Sequence, residues 1–421
     1  MNEKWLHHIW MYKLHLNHHL HCTNLLPIDI IDKGQYLQNA GPDFQFCKIR
    51  YQNIIHAGHI ELHLKSSDWE KHRHSSDINY KNVVLHVVYE HDKEIDFLIQ
   101  NDIPTLELKT FISKETLHVL QTFQEHFKFI PCENIFDIKF IDRTFLETLL
   151  IKKLDEKSEE FSLKLKQLSN HDEALLFQKL AYGFGLKINA EIFEQIAESI
   201  DFSTIRKIQH DLNQLEALFY GLSGWLEEAT DETSKLWKTE FDYLKIKFKI
   251  PNFTIAPKFL RLRPSNFPTI RLSQFANFYH QQTHLISKIR NAKSLKELQQ
   301  LFSNTTANPY WNNHFQMGKE TQKFTTKKLS KDFINLIIIN IVLPIIYFYN
   351  KDNDDEILDR IFTLYEQLPP DQNHIIDRWN DLGIKVNNAL ESQALLYLYK
   401  RFCTEKKCLN CSIGYQLLKS K

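Results

Sequence analysis

Glycine is scarce in this chain, with 10 in 421 residues against a usual share of roughly 7%. The few glycines stand near candidate turns and none forms a phosphate-cradling run, which excludes a P-loop and a dinucleotide fingerprint. Charge of one sign is equally lacking: 52 basic residues face 52 acidic ones. No global field therefore draws the protein to nucleic acid or to an anionic membrane, and a polyanion must find a local patch. The N-terminal stretch MNEKWLHHIWMYKLHLNHHL lacks a basic n-region followed by an uninterrupted apolar segment and a small-residue cleavage site, so it does not read as a secretory signal. A cytoplasmic location is expected. The longest apolar run, FINLIIINIVLPIIYFY at residues 333–349, is broken by Asn335, Asn340 and Pro344 and falls short of the roughly 20 residues that span a bilayer. It is expected to be a buried helix, with no membrane association.

What is present is an ordinary globular composition, 43% hydrophobic and 25% charged, with 30 Phe and 16 Tyr. A chain of this length exceeds what one core usually serves. Two regions differ in rhythm. Over residues 39–111, QFCKIRY, HIELHLK and VVLHVVYE are short, rich in β-branched or aromatic residues, and bounded by turn residues such as Asn39-Ala40-Gly41-Pro42 and Ser75-Ser76-Asp77; they read as strands. From about Thr144 apolar residues recur three and four apart, as in FLETLLIKKLDEKSEEFSLKLKQL and DEALLFQKLAYGFGL, the second capped by Asp172 or the Asn170-His171 pair. The fold class is thus α+β, with an α/β domain over residues 1–143 and a mainly helical one over 144–421. Residues 253–271, punctuated by Pro257, Pro264 and Pro268, read as an ordered loop or linker between helical blocks.

In HIELHLK, alternation sends Glu61, His63 and Lys65 to one face and Ile60, Leu62 and Leu64 to the other. Taken alone, such a polar face reads as solvated. Asp43, 18 residues before Glu61, changes that reading, because two carboxylates on adjacent strand ends can share a divalent cation. Histidines crowd the same region: 13 of 21 fall in the first 91 residues, six of them at positions 7, 8, 15, 18, 19 and 21. His72 and His74 in SSDWEKHRHSSD are spaced as ligands on an extended segment, with Asp68 and Asp77 near enough to ligate or orient them. His86, in the apolar strand VVLHVV, reads as a core histidine bonded to its neighbours. Carboxylates alone suit Mg²⁺, while added imidazoles suit Mn²⁺ or Zn²⁺.

The run of Pro42-Asp43, a hairpin, then Glu61-Leu62-His63 resembles the PD-(D/E)XK nuclease superfamily, which implies a restriction-endonuclease-like core with Asp43 and Glu61 binding magnesium or manganese. His63 stands where that pattern has Lys, so His63, with Lys65 two residues on, is the expected partner of the attacking water. Glu107-Leu108-Lys109, preceded by Asp92 or Asp96, is a competing match that keeps the Lys. The implied activity is a metal-dependent phosphodiesterase acting on DNA or RNA. A non-catalytic nucleic-acid- or protein-binding relative with a structural metal, and a zinc-dependent hydrolase built on His63, His72 and His74, are the alternatives. The longer motifs NAGPDF, GHIELHLKSSDWEKHRHSSDINYKNVVLHVVYEHD, LRPSNFPTIRLSQFA (262–276) and CTEKKCLNCSIG (403–414) also resemble a bacterial family classed as a domain of unknown function.

Cys403, Cys408 and Cys411 cluster near the C-terminus. In a reducing compartment such thiols read as metal ligands short of a fourth, for which Cys132 is the choice. Four thiolates could hold Zn²⁺ or an iron–sulfur cluster, and a group of nucleases within the PD-(D/E)XK superfamily resembles this layout. Cys22 and Cys47 read as buried thiols. Arg261, Arg263 and Arg271, with Phe267 between them, suit phosphate binding and base stacking; the alternative is a structural clamp pairing with acids of the helical region.

Overall fold

The three predicted strands are present as β3 (Phe44–Tyr51), β4 (Ile54–Lys65) and β5 (Val83–Glu90), joined by β1 (Ile28–Asp32), β2 (Gln35–Tyr36) and β6 (Thr105–Glu107). The computed structural model describes residues 3–11, 19–37, 41–112, 129–133, 136–252, 254–407 and 410–413, without the side chains of residues 4, 5 and 8. His15, His18, Asn39, Ala40, Phe253, Cys408 and the His8 side chain, all singled out above, lie outside the described residues.

The sheet runs β1-β3-β4-β5-β6, with β2 also on β3. β3 and β4 form an antiparallel hairpin whose two turn residues, Gln52 and Asn53, both take positive φ, 51° and 63°, as a tight right-twisted hairpin demands. β4 with β5 and β5 with β6 are parallel, so a crossover must follow each strand. The first carries α2 (Asp68–Lys71) and two 3₁₀ turns, the second α3 (Asp96–Gln100).

These crossovers decide the burial. One sheet face packs Phe44, Ile60, Leu62, Leu85 and Val87 with Leu6, Ile9 and Trp10 of α1 (Glu3–Met11). A second cluster of Trp69, Tyr80, Val83, Ile95 and Leu98 comes mostly from the crossovers. The polar face of β4 is therefore not solvated as its alternation alone suggested: a parallel strand has connections on its outer face. The first crossover is clasped at its root, where Ser66 Oγ and Ser67 Oγ donate to Asp92 at 3.0 and 2.9 Å and the Lys93 amide donates to Ser66 Oγ at 2.9 Å.

Contacts divide the chain after Phe129, so residues 130–143 group with the helical unit. Its first long helix, Arg143–Gln167, starts where Asp142 accepts from the Phe145 amide at 2.7 Å, and the next, Asp172–Phe184, is capped by His171. The apolar run extends into a helix of 20 residues, 331–350, long and apolar enough to cross a bilayer and so not too short as its sequence suggested; 72% of its most apolar stretch is buried within the protein. A π-turn at Ile338–Val342 precedes Pro344, which cannot donate to the helical ladder.

The proline-rich loop ends sooner than expected. Pro268 occupies the first turn of a helix, Pro268–Gln281, a position where its fixed φ is favourable. Arg271 thus lies on a helix and is 6% exposed. Its guanidinium donates to Asn266 Oδ1 at 2.6 Å and Gln274 Oε1 at 2.8 Å and lies 3.7 Å from the Phe333 ring centre. It clamps the interior through amides and an aromatic ring, not acids, and offers nothing to a phosphate.

Within this unit Glu216 is wholly buried. Ser273 Oγ, Asn308 Nδ2 and the Tyr220 hydroxyl all donate to it. Burial outweighs these bonds and pushes its carboxyl from 4.5 up to about 7. Between those values the native state holds a proton that the unfolded chain has released, so stability falls as pH rises through the window and levels above it. The loss should total about 3 kcal/mol. Urea unfolding of the full chain at several pH values should show Glu216→Gln lacking this component; an unchanged slope would mean Glu216 is already ionised at pH 5.

Candidate metal centre

Register brings the two acids together. Phe44 of β3 pairs with Ile60 of β4, so Asp43, one residue earlier, stands beside Glu61, one residue later. Each carboxylate clips the other's strand: the Asp43 amide donates to Glu61 Oε2 and the Leu62 amide to Asp43 Oδ2, both at 3.0 Å. Asp43 Oδ2 also lies 3.2 Å from His7 Nε2 of α1, and His7 Nδ1 lies 3.1 Å from the Tyr36 hydroxyl. Glu61 is 5% exposed. Burial, with the Asp43 carboxylate beside it, pushes its carboxyl up to about 9.

Glu61 Oε1 faces the histidines, 3.5 Å from His63 Nε2 and 3.3 Å from His74 Nε2. His63 Nε2 lies 3.1 Å from His72 Nδ1, and one ligand atom from each of His63, His72 and His74 falls within 4.8 Å of the other two. A tetrahedral ion with bonds of about 2.0–2.1 Å would separate its ligands by about 3.3–3.4 Å. The His63–His72 spacing comes close to that edge, and the third nitrogen lies within 4.8 Å of both. His74 Nε2 is buried with no aligned hydrogen bond among the described residues, an orphan lone pair that an ion would satisfy.

The surroundings hold the His63 and His74 rings as neutral donors. Parallel register sets His86 opposite Glu61; fully buried, its Nε2 sits 2.9 Å from His63 Nδ1. With the His63 Nδ1 proton donated to His86, the Nε2 lone pair is left free toward the cluster, the arrangement by which a neighbour orients a metal-ligating ring. The Tyr80 ring stacks on His74 at 3.8 Å, and Trp69, its Nε1 donating to Ser75 Oγ, stands edge-on to His63, His74 and His86. Burial, reinforced by the neighbouring imidazoles, drives His63 down to about 2 and His86 down to about 3. His72 alone of the three candidate ligands is exposed, so the cluster opens to solvent there.

Several expected roles fall elsewhere. Lys65 is exposed, its amine 4.0 Å from Asp92. Asp68 accepts from the Lys65 amide and Asp77 caps the turn Ile78–Tyr80, so both serve the backbone and not the imidazoles. The competing Glu107-Leu108-Lys109 is spent structurally, Lys109 on Glu90 at 2.7 Å and Glu107 on the His91 amide. His7, Tyr36, Trp69 and Tyr80 carried no spacing signal toward Asp43 or the histidines. In the helical unit Cys132, Cys403 and Cys411 line one small cavity, with Ile130, Trp379 and Phe402 among its walls. Cys22 and Cys47 are buried, and burial pushes both thiols up to about 12. Arg261 and Arg263 are exposed, while Phe267 is half-buried and packs its ring against Phe259 and Phe315.

The sequence model of one family, described as "Protein of unknown function (DUF2851)", matches residues 3–374. The chain belongs to the DUF2851 family. The matched span contains every residue of the Asp43–His86 cluster as well as Cys132, while the motif at 403–414 lies beyond it. No curated protein and no solved structure matches this DUF2851 chain. The resemblance to PD-(D/E)XK nucleases thus rests on Asp43 and Glu61-Leu62-His63 alone.

If the packing around His63 and His86 is as described, their ring resonances in chelator-treated protein should hold the neutral positions from about pH 8 down to about pH 4. A titration midpoint near the ordinary imidazole value of about 6.5 for either ring would show it solvated.

Proposed function

We propose that the N-terminal unit is a metal-dependent hydrolase of phosphodiester bonds, using a transition-metal ion held by His63, His72 and His74 beside Glu61. The observation that carries the reading is the convergence of three imidazole nitrogens within 4.8 Å, next to a buried carboxylate oxygen. This donor set favours Zn²⁺ or Mn²⁺ over Mg²⁺, which prefers carboxylates and water. Three protein ligands with a solvent-facing edge at His72 match a catalytic rather than a closed site. The phosphodiester class is supported by the Asp43 and Glu61-x-His63 pattern, and nucleic acid is the partner proposed with it, in the cytoplasm.

An ion there would acidify a water and offset charge on the phosphate. Without an ion the Glu61 carboxyl holds its proton at neutral pH; a cation at the imidazoles would favour its ionised form, and Glu61 Oε1, on the inner side of the cluster, would then be placed to take the proton of that water. The Asp43 amide fixes the other Glu61 oxygen, so only one is free for this work. Asp43 is itself held by the Leu62 amide and His7, which makes it a positioning residue in this reading, although the nuclease resemblance implied a ligand.

Full-length protein, stripped and reloaded with Zn²⁺, Mn²⁺ or Mg²⁺, should cleave bis(p-nitrophenyl) phosphate or a labelled oligonucleotide with zinc or manganese. Glu61→Gln should lower the rate by about 10²–10⁴ while the fold persists. His72→Ala, at an exposed position, should weaken metal binding at least about tenfold. Equal activity of Glu61→Gln, or metal binding indifferent to His72→Ala, would sink the assignment. Tight binding with no turnover would favour a non-catalytic binding protein.

A structural ion at the cysteines is the second part of the proposal. The cavity lined by Cys132, Cys403 and Cys411 holds about 20 Å³, room for one water-sized occupant. Zn²⁺ is the ion proposed, held with the help of Cys408, which lies outside the described residues; the three described sulfurs do not by themselves form a ligand group within 4.8 Å. Protein purified without oxygen should be colourless, and Cys411→Ser should lose zinc that His72→Ala retains, with a lower melting temperature. Visible absorbance that disappears in Cys411→Ser would instead mean a cluster, and unchanged metal content would remove the site.

A further inference from the structure

The helical unit contains a cavity of about 580 Å³, inside the usual range of small-molecule sites. Five cationic side chains line it, Lys153, Lys157, Lys187, Lys400 and Arg401, against three carboxylates, Glu156, Glu160 and Asp371. Each carboxylate is already engaged. Glu156 accepts from Arg401 Nε at 3.0 Å and the Tyr397 hydroxyl at 2.6 Å. Glu160 accepts from Lys157 and Lys179, and Asp371 from Ser392 Oγ at 2.6 Å and Gln393 Nε2 at 2.7 Å.

Lys157 and Arg401 are matched in return, by Glu160 and Glu156; the other three cations are not. Lys187 and Lys400 have no carboxylate within 4.0 Å among the described residues. Lys153 Nζ donates to a neutral acceptor, Gln393 Oε1. Burial, with Lys157 and Lys400 nearby and only Asp371 opposing them, takes the Lys153 amine down to about 7, and burial lowers Lys400 as well. Positive charge is thus gathered in a partly enclosed space at a cost that a bound anion would remove.

Both π-helical interruptions among the described residues of the unit border this cavity. Ile338–Val342 contributes Asn340, and Tyr399–Cys403 contributes Lys400 and Arg401. Such interruptions re-aim side chains and recur at functional sites. Ile375, Leu396 and Tyr397 add an apolar wall.

We propose that this cavity binds a small molecule carrying more than one phosphate group, its charge held by Lys153, Lys187 and Lys400. The polyphosphate portion faces the amines, and the apolar wall takes the remainder of the ligand.

Inorganic tripolyphosphate is the probe, titrated calorimetrically into the full-length chain. Wild-type protein should bind it saturably, with affinity falling as salt rises. The double variant Lys187→Ala/Lys400→Ala removes two amines without a carboxylate partner among the described residues and should bind at least about tenfold more weakly, with an unchanged melting temperature. Lys319→Ala, on the exposed strand Lys319–Glu320, should bind like wild type. Near pH 8 binding should draw a proton from the buffer as Lys153 recharges against Lys157 and Lys400, an uptake absent in Lys153→Met. No saturable binding, equal affinity in the double variant, or equal weakening by Lys319→Ala would overturn the proposal.

Discussion

The parallel pairing of β4 with β5 is the constraint on which the N-terminal unit turns. An antiparallel β5 could follow β4 through a tight turn and leave the polar face of β4 in water. A parallel one forces the chain from Ser66 to Asn82 back across the sheet, and in crossing it lays Trp69, His74 and Tyr80 over Glu61 and His63. Polar groups that would be inexpensive on a solvated surface are thereby desolvated, and each needs a partner. The reciprocal Asp43–Glu61 clip, the His63–His86 bond and the Trp69–Ser75 bond are the answers the fold supplies.

Much of this was legible in the amino acids. Alternation located β3, β4 and β5, and the change of period near Thr144 marked the helices, because local pattern and tertiary burial agree there. The convergence of His72 and His74 with His63 follows from their crowding. The sense of β5 was not legible: an apolar strand such as VVLHVV serves either pairing, and the polar face of β4 consequently looked solvated. His7 reaches Asp43 across 36 positions, a contact fixed by how α1 packs and by no spacing rule. Pro268 misled in a different way, since a proline that ends one helix is equally suited to begin the next, and Arg271 went with it from loop to core.

The helical unit distributes charge by a different rule. Glu216 and Arg271 are buried singly and held by neutral amides and hydroxyls, with Arg271 Nε left without an aligned acceptor among the described residues, whereas Lys153, Lys187 and Lys400 gather around one cavity with few anions to answer them. The first arrangement fixes a unique interior packing. The second leaves an imbalance, and such imbalances are tolerated where a ligand completes them.

The clasp of Ser66 and Ser67 on Asp92 and Lys93 has a thermodynamic reading. It ties the chain leaving β4 to the chain leaving β5, so the segment bearing His72 and His74 is a loop closed by the fold itself. Loop-closure entropy is then lost during folding, before any ligand arrives. An ion binding at the three imidazoles, as proposed, would need little further ordering, and its affinity would reflect coordination chemistry almost undiluted by conformational search.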